Sequence, residues 1–199
     1  MAELRKRSED RQVELVDAAV RLIGTKGIAA LSTRNLADAV GLSTGAIFKH
    51  FASLDDLLDA VVVRIETLLE LSYSPLTVPP LVRLQKFVEA RSRAAGGRLG
   101  LHRLVTSEQF HLALPDASAK RLRKAVQKSR GYILECLRDG QRAGTVRDDV
   151  DALAMVPIVM GTIQALALAG GPPSHEGIDV EPASHALVRL LEPPTKRGK

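Results

Sequence analysis

Residues 32–51 read STRNLADAVGLSTGAIFKHF, and the reading of this stretch decides the fold. Ser32 and Thr33 are residue types that cap helix N-termini. Leu36, Ala37 and Val40 then recur on one face of a 3.6-residue period. Gly41 ends that helix, because glycine adopts the left-handed conformation beyond a last turn at least cost. Ser43 or Thr44 caps a second short helix, Gly45 to Phe51, with Ile47 and Phe51 turned inward. Two short helices joined by a three- to four-residue turn make a helix-turn-helix. Its second helix offers water only Ser43, Thr44, Gly45 and Ala46, then Lys49 and His50. A helix end without acidic side chains suits the major groove, where carboxylates would repel phosphate.

Working outward, Val13, Val16, Val20 and Ile23 form one stripe of a helix over Asp10 to Lys26, widened by Leu15, Ala19 and Leu22. Residues 2–12 before it form a polar arm with Arg5, Lys6, Arg7 and Arg11. Such an arm either reaches DNA or is a solvated, frayed terminus. On the other side Ser53, followed by Asp55 and Asp56, caps a long fourth helix that ends before the prolines of 72–80.

Residues 13–58, VELVDAAVRLIGTKGIAALSTRNLADAVGLSTGAIFKHFASLDDLL, resemble the DNA-binding domain of TetR/AcrR-type bacterial repressors. The resemblance rests on Ala18, Leu22 and Gly27, on T-x-x-L-A-x-x-x-G-L-S from Thr33 to Ser43, and on F-x-H-F-x-S from Phe48 to Ser53. The family usually has tyrosine where Phe48 stands and lysine where Leu54 stands. Backbone affinity here therefore rests more on Lys49 and the arm. The resemblance implies a helical ligand-binding body whose last two long helices pair across a twofold axis.

The composition agrees with such a protein. Hydrophobic residues make up 45% of the chain and aromatics 3%, which suits aliphatic helix packing. The single cysteine, Cys136, excludes an internal disulfide framework and fits a reducing cytoplasm. The charged N-terminus has no apolar segment behind it and is not a signal peptide. Net charge is +5, but its distribution is uneven. Residues 1–54 hold eight Lys/Arg against six Asp/Glu, while residues 80–130 hold twelve against three, so the basic excess lies mostly outside the DNA-reading segment.

The rest of the chain reads as helices over Pro80–Ala95, Arg98–Leu114, Asp116–Ala143, Ala152–Ala169 and Pro182–Leu191. The expected fold is all-α with about nine helices and no strand. It divides into a helix-turn-helix domain with its arm (1–54), a helical ligand-binding and dimerisation domain (55–192) and a disordered tail (193–199). The cations Lys120, Arg121, Lys124 and Lys128 read as a solvated face. The uncharged run Ala152–Ala169 reaches the lower limit of a membrane span, but Pro157, Gly161, Thr162 and Gln164 lower its hydrophobicity. A helix buried on all sides explains it better, with a homodimer core supplying the burial. The expected dimer contacts are Met160, Ile163, Leu187 and Leu190.

The expected DNA contacts are Arg5, Lys6, Arg7 and Arg11 of the arm, Thr33 and Arg34 at the first turn of the second helix, and Ser43, Thr44, Gly45, Ala46, Phe48, Lys49 and His50. Serine and threonine reach several base edges, and Ala46 can touch a thymine methyl. Lys49 and His50 suit phosphates, which position without specifying; His50 is alternatively a packed capping side chain. For a small-molecule effector the expected residues are Phe87, Arg91, Leu104, Glu108, His111 and Tyr132. Arg91 follows Leu84, Phe87 and Val88 at helical spacing. If it is buried, the pocket prefers an apolar molecule with an anionic end; alternatively every arginine of this segment is solvated.

Glu108 and His111 share a helix face, but His102 looks nearly the other way, so neither a metal nor a cofactor is expected. With no Gly-rich phosphate loop, nucleophile elbow or paired-carboxylate site, the sequence is not read as an enzyme. The function expected is a ligand-responsive repressor released from a near-palindromic, double-stranded operator by its effector. The alternative is a ligand-independent DNA-organising protein acting through a protein partner.

Overall fold

The computed structural model describes residues 2–96, 101–169 and 179–194. Residues 97–100, 170–178 and tail residues 195–199 lie outside the described residues, as do the side chains of Arg5, Lys6 and Arg7. Among the described residues there are ten α-helices, one 3₁₀ turn and no strand. In order they are α1 (Ala2–Lys26), the 3₁₀ turn (Ile28–Ala30), α2 (Thr33–Val40), α3 (Thr44–Phe48), α4 (Leu54–Glu70), α5 (Pro80–Gly96), α6 (Leu101–Thr106), α7 (Glu108–Ala113), α8 (Asp116–Arg142), α9 (Ala152–Ala169) and α10 (Val180–Leu191).

Three elements differ from expectation. The second short helix, expected over Gly45 to Phe51, spans Thr44–Phe48. Residues 2–9, expected as an arm, continue α1 as helix. The single helix expected over Arg98–Leu114 is interrupted at Ser107, which leaves the helical conformation and accepts a hydrogen bond from the Phe110 amide, so that α7 starts afresh.

The chain divides into two compact units. One compact unit comprises residues 1–68 with 98–124, the other 69–97 with 125–199. In the first, α1 packs on α2, the 3₁₀ turn and α6. Leu15, Ala19, Val20 and Ile23 are buried as the stripe requires, while Val13 is exposed. Arg64 of α4 donates to both oxygens of Asp17 on α1, at 2.7 and 3.1 Å. Ser118 and Arg121 of α8 bind Asp59, and Arg121 also pairs with Glu66, so charged groups fasten both flanks of α4.

The core of the second unit joins Leu84, Phe87 and Val88 of α5 to Ile133, Cys136 and Leu137 of α8, Met155, Val159 and Ile163 of α9, and Leu187 and Leu191 of α10. Gly140 is required where α8 meets the loop that follows, because a Cβ there would lie 2.3 Å from Val146 Cγ2. Asp148 and Asp149 do not start α9: Asp149 binds Arg147 through both oxygens, and Asp151 accepts from the Leu153 amide.

Candidate nucleic-acid interface and effector site

The helix-turn-helix forms as its sequence dictates. The Ser32 hydroxyl accepts from the Asn35 amide at 3.1 Å and fixes the start of α2. Gly41 turns the chain at φ 67°, a conformation that side-chain-bearing residues rarely adopt. Ser43 then accepts from the Ala46 amide at 3.3 Å and sets the first turn of α3. Buried Leu36, Ala37 and Ile47 hold the two helices together and turn the remaining residues outward.

The expected residues differ in exposure. Ser43, Thr44, Gly45, Lys49 and Arg34 are exposed, with Thr33 and Ala46 half-buried. Phe48 is 54% exposed, and Leu54 is exposed as well. His50 is half-buried: its Nδ1 has no partner, and its carbonyl accepts from Gln12 Nε2 at 3.1 Å. Gln12 thus ties α1 to the end of the reading helix, a contact the sequence reading missed because it links residues 38 apart. Arg11 pairs with Glu14 on its own helix.

The expected effector residues fall into two groups. Phe87, Arg91 and Tyr132 come together in the second unit. The Phe87 and Tyr132 ring centroids are 5.1 Å apart, and the Arg91 guanidinium lies 4.8 Å from the Phe87 centroid. Arg91 is buried, at 8% exposure. Its Nη2 donates to Ser129 Oγ at 2.8 Å and to Tyr73 Oη at 3.3 Å, and its Nε has no partner. Burial pulls its pKa below the ordinary arginine value, against the opposing pull of Tyr73 and Glu70. Tyr73 and Ser129 escaped the sequence reading because they come from a turn and a distant helix.

Leu104, Glu108 and His111 belong to the first unit. Leu104 is buried, Glu108 is exposed in the first turn of α7, and His111 Nε2 lies 2.9 Å from the Val105 carbonyl. Among the described residues no group of three or more His, Cys, Asp or Glu could hold a metal. None of the described helices is long and apolar enough to cross a membrane.

The expected dimer residues need correction. Ile163 and Leu187 are buried in the core of their own chain and Met160 packs against it, which leaves only Leu190 of the four exposed. The outward face of α9 carries Leu153, Ala154, Pro157, Ile158, Gly161, Ala165 and Leu168 instead, without a charge. Pro157 removes one amide inside the helix, and a Cβ on Gly161 would meet nothing within 4 Å.

Comparison with known proteins places this geometry. Residues 15–61 match the family described as "Bacterial regulatory proteins, tetR family". The HTH-type transcriptional repressor KstR2 of Rhodococcus jostii (strain RHA1) is 35% identical over 51 residues, 26% of this chain and 25% of that protein. The nucleoid occlusion factor SlmA of Haemophilus ducreyi (strain 35000HP / ATCC 700724) is 32% identical over 63 residues, 31% of each chain. These matches span about a quarter to a third of the relatives' own length. The crystal structure of AibR in complex with isovaleryl coenzyme A and operator DNA superposes with a TM-score of 0.75 at 18% identity, covering 93% of this chain and all of that one. That likeness establishes a shared fold.

Proposed function

From the match of residues 15–61 to the tetR family of bacterial regulatory proteins, we propose a dimeric repressor released from a near-palindromic operator by a small-molecule effector. One observation carries the reading. The exposed surface of α3 and its caps presents Ser43, Thr44, the Phe48 ring and Lys49 but no carboxylate, which suits DNA. Ser43, Thr44 and Ala46 are the base-reading positions; Lys49, Arg34 and Thr33 hold phosphates. Arg5, Lys6, Arg7, Arg11 and His50 lend positive charge or hydrogen bonds beside them. The uncharged face of α9, with Leu190 of α10, meets its copy across a twofold axis, and the effector is held in the body.

The matched relatives bear names as different as a transcriptional repressor and a nucleoid occlusion factor, over the same DNA-reading segment. A second reading, a ligand-independent DNA organiser with a protein partner, draws on the α8 surface. Lys120, Arg123, Lys124, Arg130 and Arg138 are exposed there and have no acidic partner among the described residues. Selection of bound sequences from random DNA separates the two. A regulator enriches one motif with two inverted half-sites, spaced about 34–36 Å if its heads sit one DNA turn apart. Lys49→Ala weakens binding to every sequence and flattens its salt dependence, whereas Thr44→Ala changes the enriched bases. A pool that yields no motif contradicts the regulator reading.

A further inference from the structure

The described side chains include two buried cations, Arg83 at 1% exposure and Arg91 at 8%. They stand eight residues apart on α5 with Phe87 midway, so both continue one helix face. Arg83 is ion-paired with Asp139. Burial works against its charge, and the hydrogen bond it donates to Asp139, with the charges around it, more than offsets that, leaving its pKa above the ordinary value. Its Nε and Nη1 lack partners, but its charge is matched.

Among the described residues no carboxylate pairs with Arg91. Its two hydrogen bonds go to neutral hydroxyls, Ser129 and Tyr73, which lie 3.1 Å from each other. Glu70, whose charge Arg91 feels, gives its oxygens to Lys128 Nζ at 2.6 and 2.8 Å. Lys128 in turn lies 4.9 Å from the centroid of the Tyr73 ring, whose other cation is Arg91 at 5.5 Å. The group therefore carries one positive charge in excess. A buried ion without a counter-ion is costly, and ring faces offset only part of that cost. A structural arginine on this same helix is given an aspartate, and Arg91 is not.

We propose that Arg91 anchors a buried anion site in this unit, taking the carboxylate or phosphate end of a molecule with an apolar body. This identifies the chemical class of the effector and rests on the effector reading above. The guanidinium supplies the charge, and its partnerless Nε is a donor ready for an oxygen. The hydroxyl of Tyr73 can turn its hydrogen toward the same oxygen, because hydroxyl rotors follow their partners. The rings of Tyr73, Phe87 and Tyr132, with centroids 4.9–5.6 Å apart, make the surroundings apolar, and half-buried Tyr73 and Tyr132 would meet the remainder of the ligand.

The test uses the full chain and two sets of probes with matched bodies. One set is decanoate, decyl phosphate and decanol; the other is 3-phenylpropanoate and 3-phenylpropanol. Thermal shift and calorimetry are run at fixed ionic strength. At least one anionic probe is expected to raise Tm in a dose-dependent way while its alcohol does not, and the decyl pair tells carboxylate from phosphate. In Arg91→Gln the affinity falls at least about 30-fold, the lower end of what losing a buried charged partner costs. Tyr73→Phe lowers it by a smaller factor. Acids that bind no better than alcohols, acids that bind Arg91→Gln as they bind wild type, or no binding by any anion overturns the proposal. Should Arg91→Gln fail to fold, the acid–alcohol contrast on wild type and the Tyr73→Phe affinity decide. DNA affinity measured with and without the bound probe separates the two levels. A probe held by Arg91 that leaves DNA affinity unchanged keeps the site and removes the release mechanism.

Discussion

Replacing Ile158 with aspartate tests whether the uncharged face of α9 is a dimer interface. Ile158 is 57% exposed in the single chain, beside exposed Leu153 and Leu168. Fully burying an isoleucine side chain is worth about 1.5–3 kcal/mol, so its exposed part would gain roughly 1–1.5 kcal/mol on association. A twofold interface counts that loss twice, about 2–3 kcal/mol. Each new carboxylate would also have to leave water without a partner, at a cost on the order of several kcal/mol. A total above about 4 kcal/mol weakens the dimer roughly a thousandfold. The folded monomer should be unaffected, since a substitution at an exposed site usually changes stability by less than about 0.5 kcal/mol. Sedimentation equilibrium at micromolar concentration reads the constant, and circular dichroism checks the helices. Leu112→Asp on α7, another exposed leucine, is the control and should leave self-association unchanged. If Ile158→Asp sediments as wild type with the same constant, this face is not the interface.

Two further outcomes are expected. Phe48→Tyr restores a hydroxyl donor on the exposed side of α3 and should tighten DNA binding by about 1 kcal/mol, and Leu54→Lys should steepen the slope of log K against log salt by about one unit; fluorescence anisotropy on the selected operator measures both. Burial lifts the Cys136 thiol from its ordinary 9.0 to about 11, so the native state holds that proton longer than the unfolded chain does. Its stabilising contribution is complete below pH 9 and is lost as pH rises through 11, so urea midpoints should fall across that window in wild type and less in Cys136→Ala.

The local signals in the sequence were followed closely by the fold. Ser32, Gly41 and Ser43 act where they stand, and no distant residue is needed to decide α2 or α3. Helices α8 and α9 likewise run over the lengths their prolines, glycines and apolar spacing imply. The break at Ser107 was illegible because a serine within an apolar period is compatible with either continuation or capping. The burial of Ile163 was illegible for a related reason. A run without charges has only Thr162 and Gln164 to mark its outward face, so Ile163 and Ile158 look alike until α5 and α10 cover one of them. Small residues at Ala154, Gly161 and Ala165 were the available clue, since they recur along one face and add little to the chain's own core.

Arg91 marks the limit of what periodicity can say. Helical spacing put it on the face of Leu84 and Phe87, but the same spacing serves Arg83, and only tertiary structure separates their roles. Asp139 comes to Arg83 from a helix turn 56 residues away, while Ser129, 38 residues from Arg91, brings a hydroxyl. That difference bears on function as well as on stability. A body that served only as a scaffold for a protein partner would gain nothing from an interior cation lacking a counter-ion, and an apolar residue there would spare it the desolvation. A body that must change state with an anion gains selectivity from the same defect. The anion then binds most tightly to whichever conformation leaves the guanidinium least satisfied, and that difference in affinity is what a ligand needs to shift an equilibrium.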